Sequence, residues 1–242
     1  MSYDGGSTFD PVGYTLNDSG WCRPAADHRK GSKDLYVLCT NDGDGSGQPG
    51  SLTIPRMGTL WAYSSHDDGK TWTRTKMGTY DSARESLATY PSVAVAPNGT
   101  IYSLYNQIFV DSNGNPRESH LLLYTSTTHG AHWSVREVTP RQGIIRYSWL
   151  DVAPNGSLAI AYYYRPDKSS PWQVFAGVAK PGQRFAVSQV SRSPIAAATS
   201  GSPWGDFFEI AFGPDNKLNV VWTTESPDVE GLNSEVYFAR QR

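Results

Sequence analysis

The chain has 242 residues, a length that suits one domain with an ample hydrophobic core. Its 23 Gly, 16 Pro, 14 Tyr, 8 Trp and 8 Phe are typical of an all-β protein with many tight turns. A formal net charge of −2 argues against a nucleic-acid binder, and no stretch approaches the roughly 20 apolar residues of a membrane span.

The first predicted element is a turn motif that recurs along the chain. Residues 2–9 read Ser-Tyr-Asp-Gly-Gly-Ser-Thr-Phe, and residues 65–72 repeat the pattern S-x-D-x-G-x-T-W in full. Residues 126–133 keep the Ser, Gly and Trp but lack the Asp. The copies begin 63 and 61 residues apart, and a fixed period of this size in an all-β chain predicts a propeller.

The residue types of the motif have a structural reason. A carboxylate at the third position, such as Asp67, accepts backbone N–H bonds across a tight turn. The Gly takes a positive φ at little cost, and the closing aromatic ring anchors the turn to the sheet.

Four hairpins follow in chain order, each made of two β-branched or aromatic runs around a turn rich in Pro, Asn, Gly or Asp. They lie at 21–39, 90–105, 147–162 and 207–222. Each is followed by a third run, at 59–65, 120–126, 173–179 and 235–240. The sequence therefore predicts a single domain over 1–242 with units at about 10–72, 73–133, 134–185, and 186–242 completed by 1–9.

The turn motifs and hairpins resemble those of the aspartate-box, or BNR-repeat, β-propellers of the sialidase-like superfamily, and the resemblance extends over the whole chain. It implies an all-β propeller of four-stranded antiparallel blades. The catalytic members usually have six blades. The chain is therefore either a small ring closed by pairing of 9–16 with 235–240, or part of a longer, six-bladed propeller.

Cys22 and Cys39 are the only cysteines, and both lie in the first hairpin. A turn centred near Lys30 and Gly31 places them opposite one another, which favours a cross-strand disulfide over two buried thiols of a cytosolic protein. A disulfide indicates an extracellular or secreted protein, although the first residues do not have the pattern of a signal peptide. We expect the loop at 27–34 to be exposed.

The resemblance implies that the active site lies on the face opposite the boxes, where the first strand of each unit begins, so we assign the aspartates of the boxes no catalytic role. One set of equivalent positions in the four units, called the unlike column below, holds residues of different chemical type: Arg23, Ser92, Trp149 and Glu209. The neighbouring sets of equivalent positions are uniform in type from unit to unit. Because a buried charge is unfavourable unless it is paired or solvated, the Arg and Glu are either functional groups at a channel mouth or a structural ion pair.

The resemblance implies sialidase chemistry, which needs an arginine cluster for a substrate carboxylate, a tyrosine nucleophile with a glutamate base, and an aspartate acid/base. The candidate catalytic residues are Arg23, Arg146, Tyr147, Asp206 and Glu209. The candidate substrate-binding residues are Arg84, Arg165, Trp149 and Trp204. The Phe/Tyr-Arg-Ile-Pro motif of the family is absent, so no residue is carried over one for one.

We expect no cofactor and no metal ion. Asp42 and Asp44 alternate with Ser46 as at the start of a calcium loop, but Thr53 stands where the distal acidic ligand belongs, which favours a solvated Gly-rich turn. The expected partner is a carbohydrate or glycoconjugate. The leading hypothesis is a sialidase-like glycoside hydrolase or a fragment of one, and the alternatives are a non-catalytic glycan- or protein-binding propeller and a scaffold domain.

Overall fold

The computed structural model describes residues 7–8, 21–41, 57–81, 85–87, 91–113, 115–192, 195, 208–224 and 235–242. Within these residues sixteen strands form four antiparallel sheets. Each sheet follows the chain from the first strand of its repeat unit, and in the first two sheets the last strand follows the box turn. The expected all-β propeller of four-stranded blades is confirmed.

The first sheet contains β1 (Cys22–Ala26), β2 (Leu35–Asn41), β3 (Met57–Ser65) and β4 (Thr73–Asp81). The second contains β5 (Glu85–Leu87), β6 (Ser92–Val95), β7 (Ile101–Val110), β8 (Pro116–Ser126) and β9 (Ser134–Glu137), with β5 and β6 both paired to β7. The third contains β10 (Ile144–Val152), β11 (Leu158–Arg165), β12 (Gln173–Ala179) and β13 (Ala186–Gln189). The described part of the fourth contains β14 (Glu209–Phe212), β15 (Leu218–Thr224) and β16 (Glu235–Arg240).

The apolar core lies between neighbouring sheets, as expected for blades that pack face to face. Leu38 and Ala62 of the first sheet pack with Ile101 of the second. Further clusters join the second sheet to the third and the third to the fourth. Because every sheet is covered by its neighbour, β11 is buried along its whole length.

The disulfide prediction is confirmed, because Cys22 lies directly opposite Cys39 in the β1–β2 pair and the two are bonded. The expectation that the loop at 27–34 is exposed is wrong at its first residue, since only 7% of Asp27 is accessible. Its carboxylate accepts hydrogen bonds from the Arg29 side chain and from the Ser32 hydroxyl, so the loop folds over it.

The box turns have the structural role that the sequence predicts. Asp67 accepts hydrogen bonds from the Thr71 backbone N–H at 2.9 Å and from the Thr71 hydroxyl at 2.7 Å. Hydrogen bonds with Thr71 hold the pKa of Asp67 at about 2. In the copy that lacks the Asp, Thr128 accepts the equivalent backbone bond from His132 at 2.9 Å, so the turn survives the substitution.

Several predicted elements lie outside the described residues. These are the first box apart from Ser7 and Thr8, the segment 9–16 expected to close the ring, and the pair Asp42 and Asp44. Ring closure therefore stays a prediction. Among the residues that the structure describes, no helix is long and apolar enough to cross a membrane.

Candidate functional site

The box turns and the β1–β2 turn share one face of the molecule. Asp34, which ends the β1–β2 turn, bonds to His66 in the box of its own sheet and to His129 in the box of the second sheet. The innermost strands β1, β6, β10 and β14 begin at the opposite end, as an up-and-down sheet requires. This opposite end, where the candidate residues gather, is called the channel mouth below.

Residues of three different sheets meet at the mouth. The Arg23 guanidinium of β1 lies over the Trp149 ring of β10, with its Cζ atom 4.1 Å from the ring centroid. Burial raises the pKa of Glu209 on β14, while the positive charge of Arg23 lowers it. Of the unlike column, Arg23 and Trp149 are therefore in contact, and Glu209 is near enough for the charge of Arg23 to act on its pKa.

Ser92, the fourth member of that column, links two sheets. It is 1% exposed. The backbone N–H of Leu150 donates to its hydroxyl at 2.7 Å, and the hydroxyl lies 3.2 Å from the Leu150 carbonyl, to which it donates. These bonds give Ser92 a structural role between β6 and β10.

A second group contains two positively charged side chains and lies where β10 begins and β11 ends. Arg165 is only 9% exposed and its Cζ atom is 4.4 Å from the centroid of the Trp172 ring. One of its terminal nitrogens donates to the Lys168 carbonyl, but its Nε has no hydrogen-bond partner among the described residues. Burial and the nearby charge of Arg146 both lower the pKa of Arg165, so two guanidinium groups are held near each other.

Arg146 belongs to the same group. Burial lowers the pKa of its guanidinium, and interactions with the neighbouring Tyr147 oppose that effect. Two positive charges with reduced hydration form a site to which an anion is attracted, and a planar carboxylate matches the donor geometry of a guanidinium.

Tyr147 lies at a β-bulge between these two groups. The β10–β11 register shifts between Arg146 and Trp149, and Tyr147 has a φ of 50°. A side chain in this left-handed region costs roughly 1–2 kcal/mol. Its ring packs edge-on against Tyr163, with the centroids 6.3 Å apart.

Two residues of the region were missed by the sequence reasoning. Tyr163 is fully buried, its hydroxyl donates to the Thr223 carbonyl at 2.8 Å, and burial raises its pKa to about 12. Asp151 accepts the Phe212 backbone N–H at 2.6 Å, and burial raises its pKa. Both side chains bond backbone groups of the fourth sheet, which no local pattern in the sequence reveals.

Three candidates lie outside the described residues, namely Arg84, Asp206 and Trp204. The structure thus places Arg23, Trp149 and Glu209 in one group and Arg146, Tyr147 and Arg165 in another. The two groups are joined through the bulge of β10.

Comparison with known proteins identifies the fold and leaves the family open. No protein-family model and no curated protein sequence matches the chain. Among solved structures it is similar to an α-L-arabinanase from Penicillium chrysogenum complexed with arabinobiose, with a TM-score of 0.60 and 17% identity over 94% of this chain and 64% of that one. It is also similar to an endo-arabinase from Bacteroides thetaiotaomicron, with a TM-score of 0.55 and 14% identity over 91% of this chain and 75% of that one.

These neighbours are β-propeller glycoside hydrolases. The chain spans less than two thirds of the length of the first of them. The NanB sialidase from Streptococcus pneumoniae has a TM-score of 0.47 and 14% identity over 87% of this chain and 29% of that one, too low to carry an argument. At such identities the similarity shows the fold alone.

Proposed function

We propose that this chain is a glycoside hydrolase-like propeller, or part of one, that binds a terminal sugar carrying a carboxylate at the channel mouth. The observation that carries the proposal is the Arg165 guanidinium, which is only 9% exposed and whose pKa is lowered by burial and by the positive charge of Arg146, itself a guanidinium with reduced hydration. A substrate carboxylate beside the two guanidinium groups would offset their positive charge and match their donor geometry.

The proposed chemistry assigns a role to each remaining group. Tyr147 is the proposed nucleophile, because it lies beside Arg146 on the bulge. Sialidases form their covalent intermediate with a tyrosine hydroxyl, the group that Tyr147 offers. Glu209 is the proposed proton-transfer group, because a raised pKa keeps its acid form available at higher pH. Arg23 and Trp149 form the opposite wall, with Asp206, Arg84 and Trp204 as further candidates outside the described residues.

In its more specific form, the proposal is that the chain is a secreted hydrolase of the sialidase type. The similar solved structures include arabinan-acting enzymes, and the buried guanidinium pair is the feature that favours an anionic sugar instead. The disulfide supports an oxidising compartment, where exported glycan-processing proteins work.

The test is hydrolysis of a panel of aryl glycosides, namely a sialoside, a glucuronide and an arabinofuranoside, with binding of the free sugars measured in parallel. We expect Arg165→Met and Arg146→Met each to weaken binding of the acidic sugars by about 10- to 100-fold, since a hydrogen bond to a charged group contributes about 1.5–3 kcal/mol. Tyr147→Phe and Glu209→Gln should retain binding and lose turnover.

Arg74→Met is the matched control, since this guanidinium also lies over a tryptophan, 4.3 Å from the Trp61 centroid, but on the outer strands of the first sheet. Its binding of acidic sugars should equal that of the wild type. Binding without turnover in the wild type would identify the non-catalytic alternative. The proposal is overturned if the folded protein neither binds nor hydrolyses any acidic sugar.

A further inference from the structure

A cluster of three side chains lies on the box face, away from the channel mouth. It consists of Asp34 from the β1–β2 turn, His66 from the box of the first sheet and His129 from the box of the second sheet. The ligand atoms of the three residues lie within 4.8 Å of one another. Since these residues are far apart in the chain, their convergence is a property of the tertiary structure.

The carboxylate is shared symmetrically by the two rings. Asp34 Oδ1 is 2.9 Å from His66 Nδ1, and Asp34 Oδ2 is 2.7 Å from His129 Nδ1. Both histidines therefore present the same ring nitrogen to the Asp34 carboxylate. The side chain of Asp34 is 13% exposed, whereas those of His66 and His129 are 51% and 54% exposed, so the cluster is open to solvent through the rings.

Neighbouring groups hold these ligands in place. The Tyr36 hydroxyl, on a residue only 1% exposed, donates to Asp34 Oδ2 at 3.0 Å and fixes the orientation of the carboxylate. The His66 ring packs edge-on against that of His129 at a centroid distance of 6.0 Å. His129 has a φ of 52°, as Asp68 at the equivalent position of the other box has a φ of 59°, so the box turn itself sets where the His129 ring begins.

From this geometry we propose that Asp34, His66 and His129 bind a borderline transition-metal ion such as Zn²⁺. Two imidazoles and one carboxylate are a donor set that suits zinc, nickel or copper, whereas magnesium and calcium prefer oxygen ligands alone. Neighbouring ligands of a tetrahedral zinc ion lie roughly 3.4 Å apart, so binding would lengthen the Asp34–His66 and Asp34–His129 contacts by about half an ångström each.

Three cations line the same cleft, namely Arg29, Lys30 and Lys33. Arg29 pairs with Asp27 at 2.6 Å, and Lys33 lies 3.5 Å from Asp68, so two of these charges are partly neutralised. Their presence favours water or a small anion at the open coordination position of the ion. The bound ion would join the first two sheets on the face opposite the channel mouth and would leave the sugar site untouched.

The experiment is a thermal melt of chelator-treated protein at pH 7.5 with and without ZnCl₂. At a zinc concentration about 100-fold above Kd, we expect Tm to rise by roughly 5–10 °C in the wild type. His66→Asn and His129→Asn should abolish the rise, and the second keeps a residue type that tolerates the left-handed φ. His132→Asn is the matched control, since His132 is exposed in the same box turn as His129 and lies outside the cluster.

A titration with Co²⁺ gives a readout that does not depend on unfolding. We expect visible ligand-field absorption in the wild type and in His132→Asn, and its loss in His129→Asn. Tyr36→Phe should weaken binding about 10-fold, as loss of a partner that orients a ligand does.

The proposal is overturned by a wild-type Tm that zinc does not raise, or by an equal rise in His129→Asn and the wild type. Absence of Co²⁺ absorption in the wild type also overturns it. Any of these three results would identify the cluster as a hydrogen-bonded contact between sheets.

Discussion

Asp27 offers the sharpest test of how the first hairpin is stabilised. Its side chain is 1% exposed and its carboxylate accepts hydrogen bonds from Arg29 Nη2 at 2.6 Å, from the Arg29 backbone N–H at 3.0 Å and from the Ser32 hydroxyl at 2.9 Å. Hydrogen bonds with Arg29 hold its pKa at about 2, against an ordinary value of 3.8. Arg29 also reaches the Asn98 carbonyl of the second sheet at 3.3 Å, so the pair supports the packing of two sheets.

The magnitude follows from that pKa difference, which corresponds to a ceiling of about 2.5 kcal/mol in the free energy of unfolding. Because the Arg29 side chain is 38% exposed, solvent screening reduces the expected contribution to about 1–2 kcal/mol. A lowered pKa stabilises the fold above the unfolded value near 4, and the contribution is lost as the pH falls towards 2. Asp27→Asn removes the charge and should therefore cost about 1–2 kcal/mol at pH 7 and about half of that at pH 3.

Urea unfolding of the wild type and Asp27→Asn at pH 7, 5, 4 and 3 measures this difference. Asp68→Asn is the control, since its pair with Lys33 at 3.5 Å is a surface contact for which we expect less than about 0.5 kcal/mol. A difference for Asp27→Asn that stays constant over this pH range would refute the assignment of the stability to the carboxylate charge.

Two further substitutions separate packing from chemistry. Ser92→Ala leaves the buried N–H and carbonyl of Leu150 without their partner and should lower the free energy of unfolding by about 2–3 kcal/mol, seen as a fall in Tm of roughly 5–10 °C. The control Ser134→Ala, at an exposed position, should change Tm little. Equal effects of the two substitutions would contradict the stabilising role of the buried Ser92–Leu150 bonds. Asp67→Ala removes the acceptor of the Thr71 N–H and should lower Tm while leaving the binding of acidic sugars unchanged. Loss of binding at an unchanged Tm would instead place the sugar site on the box face.

Local patterns predicted the architecture well because the propeller repeats the same short-range physics in each unit. The box turns, the hairpins and the register that sets Cys22 against Cys39 all depend on residues close in the chain. Burial of Asp27 was missed because it depends on how Arg29 and Ser32 fold back, which a run of polar residues does not specify.

The site was only partly predictable for a related reason. Repeat alignment brought Arg23, Trp149 and Glu209 to the mouth, since equivalent positions of a propeller converge on its axis. It gave no signal for Tyr163, whose partner Thr223 belongs to another sheet, or for the meeting of His66 and His129 with Asp34. Such contacts depend on how neighbouring sheets pack and have no period in the sequence.

The bulge at Tyr147 is by itself weak evidence of function, because the second sheet meets the same geometric demand differently. There the innermost strand is divided, with β6 paired to the start of β7 and β5 to its far end. The third sheet keeps one strand, β10, and accommodates the bend as a register shift between Arg146 and Trp149. A bend at the mouth is thus common to both sheets and follows from the architecture. What the second sheet lacks in its described residues is a pair of weakly hydrated guanidinium groups like Arg146 and Arg165, and packing alone gives no reason to keep such a pair. The charge at the mouth, rather than its strain, is therefore the feature that a bound anion would explain.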